Sequence, residues 1–167
     1  MVLVLEPLNI RVDHAGYFVV FSDLGAESVE RVNHPNFGTM YDTFHANIEE
    51  KDPIAAIETV YKSGKLNHVH ISENDRGTPG RGHINIPAAI KKLKSLGYDG
   101  WMTIEAFGGA LPDLAAATRV WRDFFPSTKQ VYEEGYALIR KSWGGKSASK
   151  APATKNSKPA AKKGKKR

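Results

Sequence analysis

The chain has 167 residues, 41% apolar and 10% aromatic, enough for one folded domain with a core. It contains no cysteine, which excludes disulfides and thiolate metal sites; no apolar run approaches the roughly 20 residues of a membrane helix, and no basic, cleavable leader opens the chain, so the expected location is cytoplasmic. The net charge of +6 is unevenly placed: from Lys141 onward there are nine Lys, one Arg and no acid, so the first 140 residues carry −4.

In chain order, residues 2–6 (VLVLE) form a continuous apolar run expected to be a strand buried on both faces and stopped by Pro7. A helix is expected near Ser22 to Asn33, with Ser22 as its N-cap. The second strand ends at Asp42, and Asp52-Pro53 opens a helix with Ile54, Ile57, Val60 and Tyr61 on one face. Leu66 to Ser72 reads as the third strand, and ENDRGTPGRGH as a flexible glycine-rich loop. A helix from Pro87 to Leu96 is capped by Gly97. Trp101 to Glu105 forms the fourth strand. The segment GGALPDLAAATRVWRDFF is expected to be one helix with Leu114, Ala117, Val120, Trp121 and Phe124 on one side, and a last helix covers about Lys129 to Arg140.

Strand and helix alternate four times, which predicts an α/β fold with right-handed crossovers. A typical (β/α)8 barrel needs about 250 residues. Four βα units are therefore half a barrel, expected over residues 1–143, and the apolar start suggests a truncated gene product or a half that pairs with another copy through exposed sheet edges. Residues 144–167 are rich in Lys, Ala, Ser and Pro without apolar periodicity. They are expected to be a disordered basic tail, either merely solubilising or suited to contacting polyanions.

Four of the apolar runs end on a metal-binding type of residue: Glu6, Asp42, His70 and Glu105, separated by 36, 28 and 35 residues. Each separation fits one strand, one helix and two loops, which sets one ligand at the carboxyl end of each successive parallel strand. In α/β barrels catalytic groups gather at that end. Carboxylates converging there repel one another and take up protons, a conflict that a divalent cation removes. Oxygen and imidazole ligands suit Mn, Mg, Co or Zn. Such a centre can chelate neighbouring carbonyl and hydroxyl oxygens of a sugar and stabilise an enediolate.

His68 and His70 lie on the same face of their strand, and spacing alone does not choose between them. Asp42 and His45 form D-x-x-H in a tight strand-to-loop turn that places an imidazole near the metal. Arg76, in the glycine-rich loop, can reach a sugar oxygen. The glycines there do not have the spacing of a Walker or dinucleotide motif.

The stretches LEPLN, YDTFHANIEE, HVHISENDRGTPGRG and GYDGWMTIEAFG together resemble the sugar phosphate isomerase/epimerase family, the xylose isomerase-like barrels, and most closely the ketose 3-epimerases that act on D-tagatose and D-psicose. The resemblance covers about residues 2 to 125. It implies the C-terminal half of a TIM barrel and a divalent metal, Mn first with Co or Mg as alternatives, held by Glu6, Asp42, His70 and Glu105. It selects His70 over His68, because the family's ligand precedes the substrate-binding arginine, here Arg76, by six residues. His45 and Arg76 are implied to position the sugar. Glu6 and Glu105 are implied to be catalytic, one taking a proton and the other returning it through a metal-bound enediolate.

Three departures are visible. The epimerases often carry a glutamate where this chain has Val12, and an aromatic where it has Ile86; the family's first four βα units are missing. The segment EPLNIRVDHAGYF looks more like the hydroxypyruvate isomerase branch, which gives an alternative substrate. Two further alternatives are an apurinic endonuclease-like phosphodiesterase, suggested by the shared barrel and the basic tail, and a non-catalytic half-barrel remnant.

Overall fold

The computed structural model describes residues 1–145. Of the expected disordered tail over 144–167, residues 146–167 lie outside the described residues. Ten elements follow in order: β1 (Leu3–Leu5), α1 (Ser22–Val32), β2 (Phe37–Asp42), α2 (Thr43–Glu49), α3 (Pro53–Lys62), β3 (Leu66–Ile71), α4 (Ile86–Leu96), β4 (Trp101–Ile104), α5 (Pro112–Ala117) and α6 (Thr128–Ser142). The strands form one parallel sheet in the order β1-β2-β3-β4, each joined to the next by helical crossovers. This is the expected run of four βα units followed by the expected last helix, α6, with α2 added.

Strand alternation divides the side chains between two faces. Tyr41, Val69 and Ile71 turn toward the helices and pack with Ile57, Ile86, Ile90 and Leu93 in the core. The alternate positions Met40, Asp42, His68 and His70 share the other face. Pairing of Asp42 with His70 and of His70 with Thr103 keeps the strand ends level, so the ends of β2, β3 and β4 open at one rim.

Capping follows the local chemistry at most helix starts. Asp52 accepts from the backbone N–H groups of Ile54 and Ala55 and starts α3 with Pro53 in its first turn. Gly97, at φ +81°, ends α4 in the left-handed conformation.

Five expectations are corrected. β1 is not buried on both faces: it pairs only with β2 among the described residues and carries no helix on its open face, so Leu3 is 59% exposed and Val2 and Val4 are also exposed. Ser22 is not the N-cap of α1; Phe21 holds that position without a side-chain bond, and the Ser22 N–H donates to Glu50 at 2.7 Å. Asp42 and His45 do not occupy a simple turn but open the seven-residue helix α2. The long helix expected across 108–125 stops at Ala117. Arg119 adopts φ +60°, and the N–H groups of Arg119 and Val120 bond back to Ala116 and Ala115, closing the helix in a Schellman pattern. Finally, the glycine-rich loop is a packed one, with Glu73, Arg76 and Thr78 buried.

Candidate metal centre

Asp42 ends β2 and caps α2 with the same carboxylate. Its Oδ1 accepts from Phe44 N at 2.6 Å and His45 N at 3.3 Å, which fixes the side chain and leaves Oδ2 turned inward. That oxygen is buried without a hydrogen-bond partner among the described residues. The next strand sets His70 opposite Asp42 in register, and a bond pair between Thr43 Oγ1 and the backbone of Ser72 ties the two strand ends together. Glu105 follows β4, its N–H donating to Ile71 O at 3.1 Å. Glu6 follows β1.

These four side chains converge. His70 Nδ1 lies 3.3 Å from Glu105 Oε1, 3.4 Å from Asp42 Oδ2 and 3.8 Å from Glu6 Oε1. Ligand atoms held about 2.1 Å from one ion stand roughly 3.0–3.5 Å apart, so the spacing of Asp42, His70 and Glu105 suits a single small divalent cation, with Glu6 beside that group. Among the described residues His70 Nδ1 is itself buried without a hydrogen-bond partner, as is Asp42 Oδ2. Two orphaned polar atoms aimed at one point cost free energy unless a further group satisfies them. The hard oxygen and imidazole donors fit a divalent cation there.

His45 stands beside the cluster, 4% exposed, with Nε2 4.0 Å from Glu6 Oε1. Its ligand atom falls within 4.8 Å of those of Glu6 and Asp42, so two overlapping groups, Glu6–Asp42–His45 and Asp42–His70–Glu105, are spaced for an ion. His68 is absent from both. It sits one strand repeat farther from the rim, with its Nε2 2.8 Å from Thr103 Oγ1.

Arg76 is brought in from the packed loop. Its Nη1 donates to Glu105 Oε2 at 2.5 Å and its Nη2 to Asp13 Oδ2 at 3.2 Å, while the guanidinium lies 3.5 Å over the Phe44 ring and 5.2 Å from that of Phe107. The residue adopts φ +62° and is 4% exposed. Phe107 N donates to its carbonyl at 2.8 Å, so β4's trailing segment helps hold it.

Crowding of acids in a poorly solvated space shows in the titration of the metal-free site. Burial, then the Asp42 charge, raises Glu6 to about 7. Burial raises Asp42 as well, despite its histidine neighbour. Burial alone would depress His70, but the carboxylates of Asp42 and Glu105 outweigh it and lift the imidazole to about 10. Burial pushes Glu105 up; His70 and Arg76 outweigh that and bring it to about 2. His45 goes the other way, held near 3 by burial and then by the Arg76 charge, and is therefore a neutral ring at physiological pH.

All six residues singled out from sequence thus meet in one place. Others were missed: Asn9 and Asp13 from the β1–α1 loop, the aromatic pair Phe44 and Phe107 around Arg76, and Glu73, which accepts backbone N–H groups of Gly80, Asn74 and Ile84. Asn9 and Glu73 lie inside the stretches that carry the family resemblance, which was the available signal. Nothing in the local pattern marks Asp13.

The family model of the xylose isomerase-like TIM barrel matches residues 1–142. A D-psicose 3-epimerase of Ruminiclostridium cellulolyticum is 36% identical over 71% of this chain and 39% of its own length. A ketose 3-epimerase of Arthrobacter globiformis is 34% identical over 67% of this chain and 39% of its own. The crystal structure of D-psicose 3-epimerase with D-tagatose from Clostridium cellulolyticum H10 superposes with a TM-score of 0.71 and 33% identity, covering 83% of this chain and 47% of that one. The chain therefore spans about half the length, or less, of the relatives it matches. With four parallel βα units whose strand ends gather at one rim, the chain belongs to the xylose isomerase-like TIM barrel family.

Proposed function

We propose that the chain carries the active site of a divalent metal-dependent ketose 3-epimerase, working by proton transfer through an enediolate. The observation that supports this is the gathering of Asp42, His70 and Glu105 at ion-binding spacing with Glu6 3.8 Å from His70, and two of the buried atoms lack a hydrogen-bond partner among the described residues. A divalent ion there, Mn by preference, would polarise a ketose carbonyl and offset the negative charge that develops on it. Glu6 and Glu105 come from the first and fourth strands and approach the centre from opposite sides of His70. In this reading one takes the proton from the carbon beside the carbonyl and the other returns a proton to the opposite face. His45 and Arg76 hold sugar oxygens.

The substrate is an unphosphorylated sugar. Arg76 is already engaged by Glu105 and Asp13, and Glu6 and Asp42 add further carboxylates, so the cluster offers no uncommitted guanidinium to a phosphate. The same point weighs against the hydroxypyruvate isomerase-like alternative, whose substrate carries a carboxylate. A phosphodiesterase of the apurinic endonuclease type would also face this excess of acid.

Among the described residues the sheet has open edges at β1 and β4, and Trp101, on the same face as His68, is 78% exposed. We propose that a second copy of the chain covers them, β4 of each pairing with β1 of the other, so that eight parallel strands close. Backbone groups at both edges then gain partners and Val4 and Trp101 are buried.

The test is exchange of the C3 hydrogen of D-tagatose or D-psicose with deuterium from solvent, followed by NMR on the Mn-loaded chain. Exchange is expected with the free ketoses, and is expected to be lost in Glu105→Gln. A folded, Mn-loaded sample that exchanges neither ketose overturns the reading.

A further inference from the structure

The β1–α1 loop buries two polar side chains that the chemistry above does not use. Asn9 is fully buried, and the Asp13 side chain is 2% exposed. Burying an amide and a carboxylate on a connecting loop is costly unless each finds partners. The partners they find are the two residues proposed to hold the sugar.

Asn9 N donates to His45 Nδ1 at 3.1 Å, and the Asn9 amide Nδ2 is 2.9 Å from the same nitrogen. Which way that amide points is set by its other bonds. Its Oδ1 accepts from Val12 N at 2.8 Å and its Nδ2 donates to Asp13 Oδ1 at 2.6 Å. A reversed amide would set oxygen against carboxylate and NH2 against N–H. Two donors on Nδ1 require that nitrogen to be the acceptor, so a neutral His45 ring carries its proton on Nε2.

The Nε2 proton faces the acidic cluster. Glu6 Oε1 is 4.0 Å away, beyond hydrogen-bond reach, and the polar atom within 3.4 Å is Arg76 Nη2, itself a donor. Among the described residues this proton therefore has no acceptor. Asp13 completes the arrangement. Its Oδ2 holds Arg76 Nη2 on one side while Glu105 holds Nη1 on the other, and Phe44 lies under the plane. Through the Asn9–Asp13 bond, one loop fixes both donors.

We infer that Asn9 and Asp13 are positioning residues: Asn9 locks His45 as an Nε2–H donor, Asp13 sets Arg76 beside it, and together they present adjacent N–H groups to one ketose oxygen. Only the last step, the ketose oxygen, rests on the proposed function; the tautomer and the guanidinium orientation belong to the chain itself.

The test is nitrogen-15 NMR of the full metal-free chain, with the His45 signals identified by their loss in His45→Gln. The wild-type ring is expected in the Nε2–H form. Asn9→Asp, which exchanges the side-chain donor at Nδ1 for a carboxylate oxygen while the backbone N–H remains, is expected to lower the share of the Nε2–H form. Asp13→Asn is expected to shift the Arg76 Nη2 signal and leave Nη1 nearly in place, because the charged acceptor on Nη2 is lost while Glu105 still holds Nη1. An Nδ1–H ring in the wild type, which needs no variant, overturns the assignment of Asn9; unchanged Arg76 signals in a folded Asp13→Asn protein overturn that of Asp13. With Mn bound, Asp13→Asn is expected to weaken D-tagatose binding at least tenfold and Mn binding less than twofold, and an equal loss of both overturns a positioning role. If the wild type shows both NMR signatures but binds no ketose, the epimerase reading falls and the positioning of His45 and Arg76 stands.

Discussion

Nδ1 of His70 lies 3.4 Å from Oδ2 of Asp42, and although both atoms are buried neither has a hydrogen-bond partner among the described residues. Each is aimed at the space between them and the two glutamates. A cation in that space would satisfy both, so divalent metal should stabilise the fold directly. Mn at about 100 times its dissociation constant is expected to add about 2.7 kcal/mol, which for a domain of this size raises Tm by roughly 8 °C. His70→Gln should abolish that shift. Loss of supporting groups around a metal already costs 10–100-fold in affinity, so removing a ligand is expected to cost more than about a hundredfold by calorimetry.

Metal and protons compete for these side chains. Glu6 titrates near 7 and His70 near 10 in the metal-free site, and each must surrender its proton to become a ligand. Mn affinity is therefore expected to rise about a hundredfold per pH unit between pH 5 and 6.5, where both release a proton, and about tenfold per unit between pH 8 and 9, where only His70 does. Calorimetry in buffers of different ionisation enthalpy counts the released protons. The metal-free chain should behave oppositely. Glu6 is raised above its ordinary 4.5, so the folded state binds more protons than the unfolded one and loses stability as pH climbs from 4.5 to 7. His70, raised from 6.5, contributes stability in full below that value and loses it as pH rises through 10.

The parts of the fold legible in the sequence were those governed by local periodicity. Parallel strands buried on the helix side read as apolar runs, and the residue that ends each run marks the rim, which is why Asp42, His70 and Glu105 could be placed together. Asp52-Pro53 and Gly97 announce helix ends through chemistry confined to one turn. What stayed hidden depends on contacts made across the chain. The Ser22 N–H is satisfied by Glu50, 28 residues away, so no cap signal stands beside it. Asp13 meets Arg76 across 63 residues, and Asn9 meets His45 across 36. α5 ends at a left-handed arginine, Arg119, whose Nε donates to Val12 O on the far side of the rim; such a conformation is rare outside glycine and leaves no local mark. The apolar β1 run could not say whether its strand was interior or at an edge.

The glycine-rich loop owes its order to one acid. Glu73 is fully buried, its Oε1 accepting from Gly80 N at 2.8 Å and its Oε2 from Asn74 N at 3.2 Å and Ile84 N at 3.4 Å. In Glu73→Gln the amide NH2 must replace one oxygen, and it then faces backbone donors that it cannot satisfy. Leaving buried N–H groups unpaired is expected to cost about 2 kcal/mol in urea unfolding. Because the same loop carries Arg76, the variant should also weaken ketose binding by more than it weakens Mn binding. A stability loss below about 0.5 kcal/mol would show that the loop is held by its other contacts, such as the Arg81–Glu134 pair.

Self-association through the sheet is the remaining consequence. Among the described residues β1 and β4 each have one unpaired side, and the open face between them leaves Val4 and Trp101 exposed. Exposed parallel edges with apolar neighbours favour pairing with another chain. Sedimentation equilibrium of the full chain is expected to show a dimer. Trp101→Lys should shift it toward monomer, because pairing would bury an ammonium without a partner, whereas Lys141→Ala, just ahead of α6's final residue, should leave the mass unchanged. The metal centre provides an independent check, since Glu6, Asp42, His70 and Glu105 all come from one copy. If Trp101→Lys is monomeric yet keeps wild-type Mn affinity, closure and metal binding are separate properties. If the wild type is a monomer at every concentration tested, the paired barrel is wrong.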